Sequence, residues 1–484
     1  MPSGLVARNG GRIGVALLVA ILLLGLGLRL GYAWDGRAPV YDAQAYAAIA
    51  DNLADGEGFS VGAGATQPSS NYSPGLPLFV AGLYVVTGGE HEGLARVVLA
   101  VVAALAVPFT YLLGRRLAGP ADHPPPLGVA GDRAGVVAGL IGALAVAVYP
   151  AFLEYGGMLM SEPLAATLLS GGVLALFWGW DAVREAGEIA WKRWLVSGLA
   201  LGALALVRPE YLGVGILLAL VVFASGFALR LPFFAQRAKK DKASRGWQRW
   251  LGAAGLVLVG MGVVILPWTI RNAVALDRLV PVSTGGGQVL YAGTYLTSDG
   301  DPEKVGAGVV AENPQLFGPD ALENLRLEQI LARLAAATYP QLETDRALSR
   351  MGREQLWDDV SAEPLEYAGF LATKIGRVWS HGPRQIMREP VWEALHWALL
   401  AVGLLGLGVL AWRRRWEALV IATVFLAITA ISALLVASPR RVLVMLPLLA
   451  ACAGYGAVWL GTQMWKVGLR PSQKRSSNSP ASIA

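Results

Sequence analysis

The sequence predicts an all-α polytopic membrane protein with about ten transmembrane helices, on three observations. Apolar residues fill 55% of the 484 positions, whereas Asp, Glu, Lys and Arg fill only 15%, against roughly a quarter in soluble domains. Mean hydropathy is +0.50. A window of about 19–20 residues finds apolar runs of bilayer length along most of the chain.

The first run, 13–32, is too long for a signal peptide, and no small-residue cleavage site follows it. The others lie near 94–113, 134–153, 162–180, 194–207, 211–229, 251–268, 391–412, 419–436 and 442–460. The segment 74–87 is apolar but short, and reads as a juxtamembrane or re-entrant helix. Lys and Arg gather in alternate short loops: Arg8 and Arg12, Arg115 to Arg133, Arg184 to Arg193, Arg230 to Arg249, Arg413 to Arg415, and Lys466 to Arg475. By the positive-inside rule both termini are cytoplasmic. Trp34, Trp191, Trp194, Trp250, Trp268, Trp379, Trp412 and Trp416 fall where spans meet headgroups.

This divides the chain into a transmembrane module, 1–270, that includes a first outer loop, 35–89. An extracytoplasmic segment, 271–390, follows, then C-terminal transmembrane helices, 391–461, and a Ser/Pro/Lys-rich tail, 462–484, that reads as disordered. The 271–390 segment opens with a Gly-rich, strand-like piece at 280–295 and then shows helical patterns at 343–360 and 364–379, an α(+β) composition.

Several function classes fall away. A single cysteine, Cys452, precludes an internal disulfide, and His91, His123, His381 and His396 lack metal-ligand spacing. The formal charge of +6 does not signal nucleic acid, because the basic residues flank spans. No Walker loop, His-Glu-x-x-His or nucleophile elbow is present. Asp299-Gly300-Asp301 matches an Asp-x-Asp metal motif, but three-residue matches arise by chance and nucleotide sugars are scarce outside the cell.

Ionisable groups at membrane depth cost about 2.5–3.5 kcal/mol, so their positions are informative. They gather at the outer ends of spans. Asp42 opens Tyr41-Asp42-Ala43-Gln44-Ala45-Tyr46, and residues 42, 46, 49 and 53 share a helical face. Asp42 either caps that helix or faces a cavity. Asn71-Tyr72-Ser73-Pro74-Gly75-Leu76-Pro77 is a turn that leads into the short apolar segment, as a plain turn or as a pocket wall. Glu162, in Ser161-Glu162-Pro163, either complements a helix dipole or faces the cavity, in a region that Glu154 and Tyr155 make more polar than packing needs. Arg208, in Arg208-Pro209-Glu210-Tyr211, either pairs with Glu210 or binds a ligand. Arg271, Arg440 and Arg441 lie at the same level, against the positive-inside trend. Interface snorkelling is one account of them; an anionic headgroup, most simply a phosphate matched by the guanidinium fork, is the other.

As a set, these residues resemble the GT-C class of integral-membrane glycosyltransferases, in the bacterial branch similar to protein O-mannosyltransferases and aminoarabinose transferases. Tyr-Asp-x-x-x-Tyr, Asn-Tyr-Ser-Pro-Gly-Leu-Pro, Ser-Glu, Arg-Pro, Pro-Trp-Thr-Ile-Arg-Asn, Val280-Pro281-Val282-Ser283-Thr284 and Ser-Pro-Arg-Arg occur in that order across 13–460. The resemblance implies a multi-pass protein of the bacterial inner membrane that takes a sugar from a polyprenyl-phosphate donor on the periplasmic side. The anomeric centre would be inverted and the sugar passed to a glycolipid, polysaccharide or protein hydroxyl. It implies that Asp42 is the catalytic base. Many members follow that aspartate with Glu; here Ala43 and Gln44 follow, which leaves the acceptor and any divalent metal open.

Displacement at an anomeric carbon needs a base for the acceptor and cations for the departing phosphate. The expected assignment is Asp42 as base, with Arg208, Arg271, Arg440 and Arg441 at the phosphate. Tyr46, Asn71, Tyr72, Glu162 and Glu210 would line the sugar and acceptor pocket. A lipid-sugar transporter or flippase is the rival reading, but it would favour midplane sites and repeated halves. An inactive scaffold is the third.

Overall fold

Every regular element among the described residues is helical, and none is a strand. The computed structural model describes residues 3–34, 42–62, 64–119, 131–185, 189–228, 246–298, 301–380 and 382–468. Tyr41, the Asp299-Gly300 pair, most of the Arg230–Arg249 basic cluster and the tail from residue 469 lie outside them.

Helix α1 (Ser3–Trp34) turns Val15, Val19, Leu23 and Leu24 outward. Leu266 and Leu426, on later helices, are likewise exposed. Such surfaces are tolerable where the surrounding solvent is lipid. Among the described residues, seven helices are long and apolar enough to cross a membrane: Arg12–Trp34, Glu92–Ala118, Ser161–Arg184, Trp247–Leu276, Pro390–Trp412, Trp416–Leu434 and Arg440–Lys466. One further pair, Arg133–Val148 with Pro150–Gly156, passes the same test together but is bent by 60°, the geometry of a broken span or a re-entrant loop. The other two expected spans correspond to shorter helices, α9 (Trp191–Val207) and α10 (Glu210–Ala228).

The interruptions have identifiable causes. Helices α4 (Glu92–Ala104) and α5 (Ala106–Ala118) meet at Leu105, because Pro108 has no N–H to donate to the Ala104 carbonyl. Helix α9 stops at Val207 because Arg208 precedes Pro209 and is forced out of helical geometry, to φ −144° and ψ 107°. Helix α6 (Gly131–Val148) breaks before α7 (Pro150–Gly156), with Tyr149 extended. Arg29 of α1, fully buried, satisfies carbonyls freed there. Its guanidinium donates to Val146 O (3.0 Å), Ala147 O (3.4 Å) and Gly25 O (2.8 Å), and lies 5.1 Å from the Phe152 ring.

The remaining long helices are α8 (Ser161–Glu185), α11 (Gly246–Leu276), α18 (Pro390–Trp412), α19 (Trp416–Leu434) and α20 (Arg440–Gly468). Small residues bring them together. A Cβ placed on Gly406 of α18 would lie 2.1 Å from Cys452 O of α20, so only glycine permits that approach.

The first loop folds as two short helices, α2 (Asp42–Ala54) and α3 (Gly75–Thr87). The 271–390 segment contains α12 (Gly286–Thr294), α13 (Pro302–Glu312), α14 (Ala321–Asn324), α15 (Leu327–Thr338), α16 (Thr344–Ala362) and α17 (Pro364–Ser380). Tyr291, Val305, Val309, Leu331, Leu334 and Leu348 form part of a core of its own. The last two helices match the expected patterns. The strand-like piece at 280–295 does not form a strand: α12 occupies most of it. Asp345 Oδ1 accepts the N–H groups of Gly285 and Gly287, each at 2.9 Å, and so satisfies donors at the start of that helix from a distant element. No local pattern reveals a cap supplied sixty positions away.

Candidate functional site

Helix α2 starts at Asp42. Tyr46 and Ile49, on the same face, are buried, while the Asp42 side chain is 36% exposed. Asp42 Oδ2 accepts a hydrogen bond from Arg440 Nη1 at 2.7 Å. Arg440 opens α20, and its Nε donates to Glu162 Oε1 at 2.6 Å. Glu162 sits in the first turn of α8 and is fully buried, so its charge depends on partners. Arg208 is the second partner, with Nη1 3.1 Å from Glu162 Oε1 and 3.2 Å from Ser161 Oγ. Arg208 Nε donates to Glu210 Oε1 at 2.9 Å, and Arg441 Nε approaches that same oxygen at 3.7 Å. Arg441 also donates to Ser432 Oγ and to Val436 O.

Asp42, Arg440, Glu162, Arg208, Glu210 and Arg441 thus form one chain of ion pairs, three acids against three bases. It joins the first loop, α8, the α9–α10 turn and α20. The Arg208–Glu210 pair anticipated locally is real, but it belongs to this larger network. Glu162, whose helix-terminal position alone would suit a carboxylate, is bridged by two guanidinium groups.

An aromatic wall adjoins the network. Tyr46 meets Tyr72 edge-on, with ring centroids 5.7 Å apart. Burial, with Glu328 and Asp42 adding to it, pushes the Tyr72 phenol up to about 12, and burial also raises Tyr46. Both hydroxyls therefore stay protonated and can donate to a ligand. Asn71 is held against Thr284 of the 271–390 segment, with Oδ1 accepting from Thr284 Oγ1 at 3.4 Å. Tyr155 of α7 lies 5.7 Å from the Arg440 guanidinium and 5.8 Å from that of Arg384. Arg384 forms an ion pair with Glu154, and that hydrogen bond holds its protonation above the ordinary range.

Arg271 does not join this network. Its Nη1 donates to Ser69 O (2.8 Å) and Asn272 Oδ1 (3.0 Å), and its Nη2 to Phe59 O (3.1 Å). Its guanidinium lies 4.9 Å from the Trp268 ring and 5.6 Å from Phe59. Trp268 Nε1 donates to Val282 O at 2.6 Å, and Asn272 donates to Val280 O at 3.0 Å. The Pro-Trp-Thr-Ile-Arg-Asn sequence therefore fastens the first loop and residues 280–282 to the end of α11. Three of the four expected arginines converge, and the fourth is engaged with backbone carbonyls.

Sequence reasoning missed Arg384. The available signal was its place among arginines at the outer ends of spans, immediately ahead of the last three spans. Arg29 was also missed, although an arginine inside the first span met the membrane-depth criterion applied elsewhere. Among the described residues, no group of three or more His, Cys, Asp or Glu side chains is arranged to hold a metal.

No family model and no curated protein sequence matches the chain. Solved structures do. The oligosaccharyltransferase of Archaeoglobus fulgidus in its apo form aligns with a TM-score of 0.53 at 16% identity, over 94% of this chain and 51% of that one. The same enzyme in complex with Zn and sulfate gives a TM-score of 0.51 at 14% identity, over 94% and 50%. ArnT from Cupriavidus metallidurans bound to undecaprenyl phosphate aligns over 99% of this chain and 82% of that one at 14% identity, with a TM-score of only 0.39. The chain spans about half the length of the oligosaccharyltransferase chains it matches. At these identities the likeness is one of fold, and in its fold this multi-pass helical protein is of the GT-C type, as the resemblance in its sequence implied.

Proposed function

We propose that this protein is an inverting glycosyltransferase that moves a sugar from a polyprenyl-phosphate donor to an acceptor hydroxyl on the extracytoplasmic side of a bacterial inner membrane. The observation that carries the reading is the convergence of Asp42 with Arg440, Glu162, Arg208 and Arg441 from segments far apart in sequence. A fold that needed only stability would have little use for six charges at the ends of apolar helices, since buried ion pairs seldom beat apolar packing.

In this reading Asp42 is the general base. Arg440 holds Oδ2, which leaves Oδ1 for the acceptor hydroxyl. General-base catalysis of this kind contributes about 10²–10⁴-fold. As the glycosidic C–O bond to phosphate breaks, negative charge grows on the leaving oxygen. Arg440, Arg441 and Arg208 supply preorganised donors for it. Glu162 and Glu210 hold those guanidinium groups in register. Tyr46 and Tyr72 offer an aromatic edge and two hydroxyls to the sugar, and Asn71 and Glu210 border the pocket. The prenyl chain would lie among the exposed apolar faces of the spans, and the 271–390 segment would meet the acceptor.

The divalent metal that the sequence left open does not fit these residues. Asp42 and Glu162 are the carboxylates positioned to share a cation, and the Arg440 guanidinium already stands between them.

The test is transfer from a labelled polyprenyl-phosphate sugar by the purified chain in bilayers. Asp42→Asn should lower turnover at least 100-fold with membrane insertion intact, and any loss of unfolding stability should stay within about 1 kcal/mol. Full activity in that variant removes Asp42 from the mechanism. Sugar crossing vesicles without any transfer would favour a transporter instead.

A further inference from the structure

We infer that Arg440 takes the place of a divalent cation in this site, so that the pairing of Asp42 with Glu162 is satisfied by an organic cation and a ligand phosphate is bound without metal. Only the last clause rests on the glycosyltransferase reading; the first concerns the carboxylates alone.

The geometry is that of a bridged site. Asp42 begins α2 and Glu162 lies in the first turn of α8, and one guanidinium contacts both, at 2.7 Å through Nη1 and 2.6 Å through Nε. Oxygen ligands of a hard cation such as Mn²⁺ or Mg²⁺ surround the ion at about 2.0–2.6 Å. An ion between these two carboxylates would therefore occupy the volume the guanidinium fills. The charges agree. Glu162 already has Arg208 as a second counter-ion at 3.1 Å, so adding a divalent ion beside Arg440 and Arg208 would leave the local charge strongly positive. Taking Arg440 away has the opposite effect. Asp42 then loses its partner, and Glu162, fully buried, retains Arg208 alone. Glu162 Oε2 has no hydrogen-bond partner among the described residues, which leaves that oxygen free as a ligand.

The two cations differ in what they offer a phosphate. A guanidinium presents directed N–H donors in a plane and cannot be removed by a chelator. A metal exchanges water and binds in proportion to its free concentration. Arg440, with Nε and Nη1 spent on carboxylates, keeps Nη2 for a ligand oxygen.

The experiment uses the full chain in lipid nanodiscs. Mn²⁺ binding is followed by electron paramagnetic resonance, and binding of undecaprenyl phosphate is measured in EDTA and in Mn²⁺. Wild type should bind no stoichiometric Mn²⁺, and its lipid-phosphate affinity should agree within twofold between the two conditions. Arg440→Ala and Arg440→Met, the second retaining bulk against Tyr155, should gain an Mn²⁺ site that Asp42→Asn then weakens at least tenfold. Stoichiometric Mn²⁺ in wild type that is lost with Asp42→Asn overturns the inference. So does a tenfold fall in wild-type lipid-phosphate affinity on chelation, an arm that stands even if the Arg440 variants fail to fold. So too does a folded Arg440 variant without an Mn²⁺ site. Absence of any lipid-phosphate binding would instead refute the proposed function and leave the Mn²⁺ comparison intact.

Discussion

Arg440 Nη1 lies 2.7 Å from Asp42 Oδ2, and the same side chain reaches Glu162 at 2.6 Å, so one guanidinium ties the first loop and α8 to the last span. The two bonds differ in environment. Asp42 is 36% exposed and Glu162 is fully buried. Solvent screens the first pair and not the second. Double-mutant cycles on unfolding stability should therefore give a coupling of about 1 kcal/mol or less for Asp42–Arg440, and a clearly larger one, about 2–3 kcal/mol, for Glu162–Arg440. Equal couplings would contradict the burial difference.

Arg29 should be a stability residue with an effect on the site. Its guanidinium serves carbonyls at the α6–α7 break, and α7 carries Glu154 and Tyr155. Arg29→Met leaves those acceptors without a donor, at about 1–3 kcal/mol each. Arg29→Lys, with one compact charge, should restore part of the loss. Unfolding midpoints of the three proteins in one detergent check the order wild type, Lys, Met.

Lys374 gives a pH signature. The side chain is buried on α17, donates to Gly293 O and lies 5.0 Å from the Phe370 ring. Burial, aided by the Arg441 charge, lowers it to about 8 from an ordinary 10.5. Between those values the unfolded chain binds the extra proton, so stability rises with pH across this window, by at most about 1.4 kcal/mol per pH unit. Thermal unfolding from pH 7 to 10.5 should show that rise in wild type, and Lys374→Met should remove it.

Arg384 carries backbone strain. Its φ is 92° and ψ 147°, a region nearly confined to glycine, with a cost of about 1–3 kcal/mol. Arg384→Gly and Arg384→Ala both lose the ion pair with Glu154. Only the glycine variant relieves the backbone, so it should be the more stable of the two by a similar amount. Chemical denaturation of the pair decides it.

The membrane fold was legible because a span announces itself by length and apolarity, as 13–32 and 391–412 do. The shorter helices around Arg208 were harder to weigh, since a proline-imposed end leaves composition unchanged. The strand-like 280–295 piece misled because Asp345 caps α12 from outside the local window. At the site, arginines against the topological trend did mark a shared place: Arg208, Arg440 and Arg441 meet there. Arg271 carries the same signature and grips carbonyls instead. Charge and depth alone do not distinguish an arginine that holds acids from one that holds backbone.

The Asp42–Arg440 bond joins residues 398 positions apart, with the second at the head of the final span. A chain emerging from the ribosome therefore installs Asp42 and Glu162 long before their common counter-ion exists. Until the helix that Arg440 opens enters the bilayer, Glu162 has Arg208 alone as a counter-ion and Asp42 must stay hydrated or borrow a cation from the medium. Assembly of the ion-pair network is thereby tied to the arrival of residues 440 and 441, and a chain cut short before them carries most of its apolar helices yet lacks the guanidinium that joins Asp42 to Glu162.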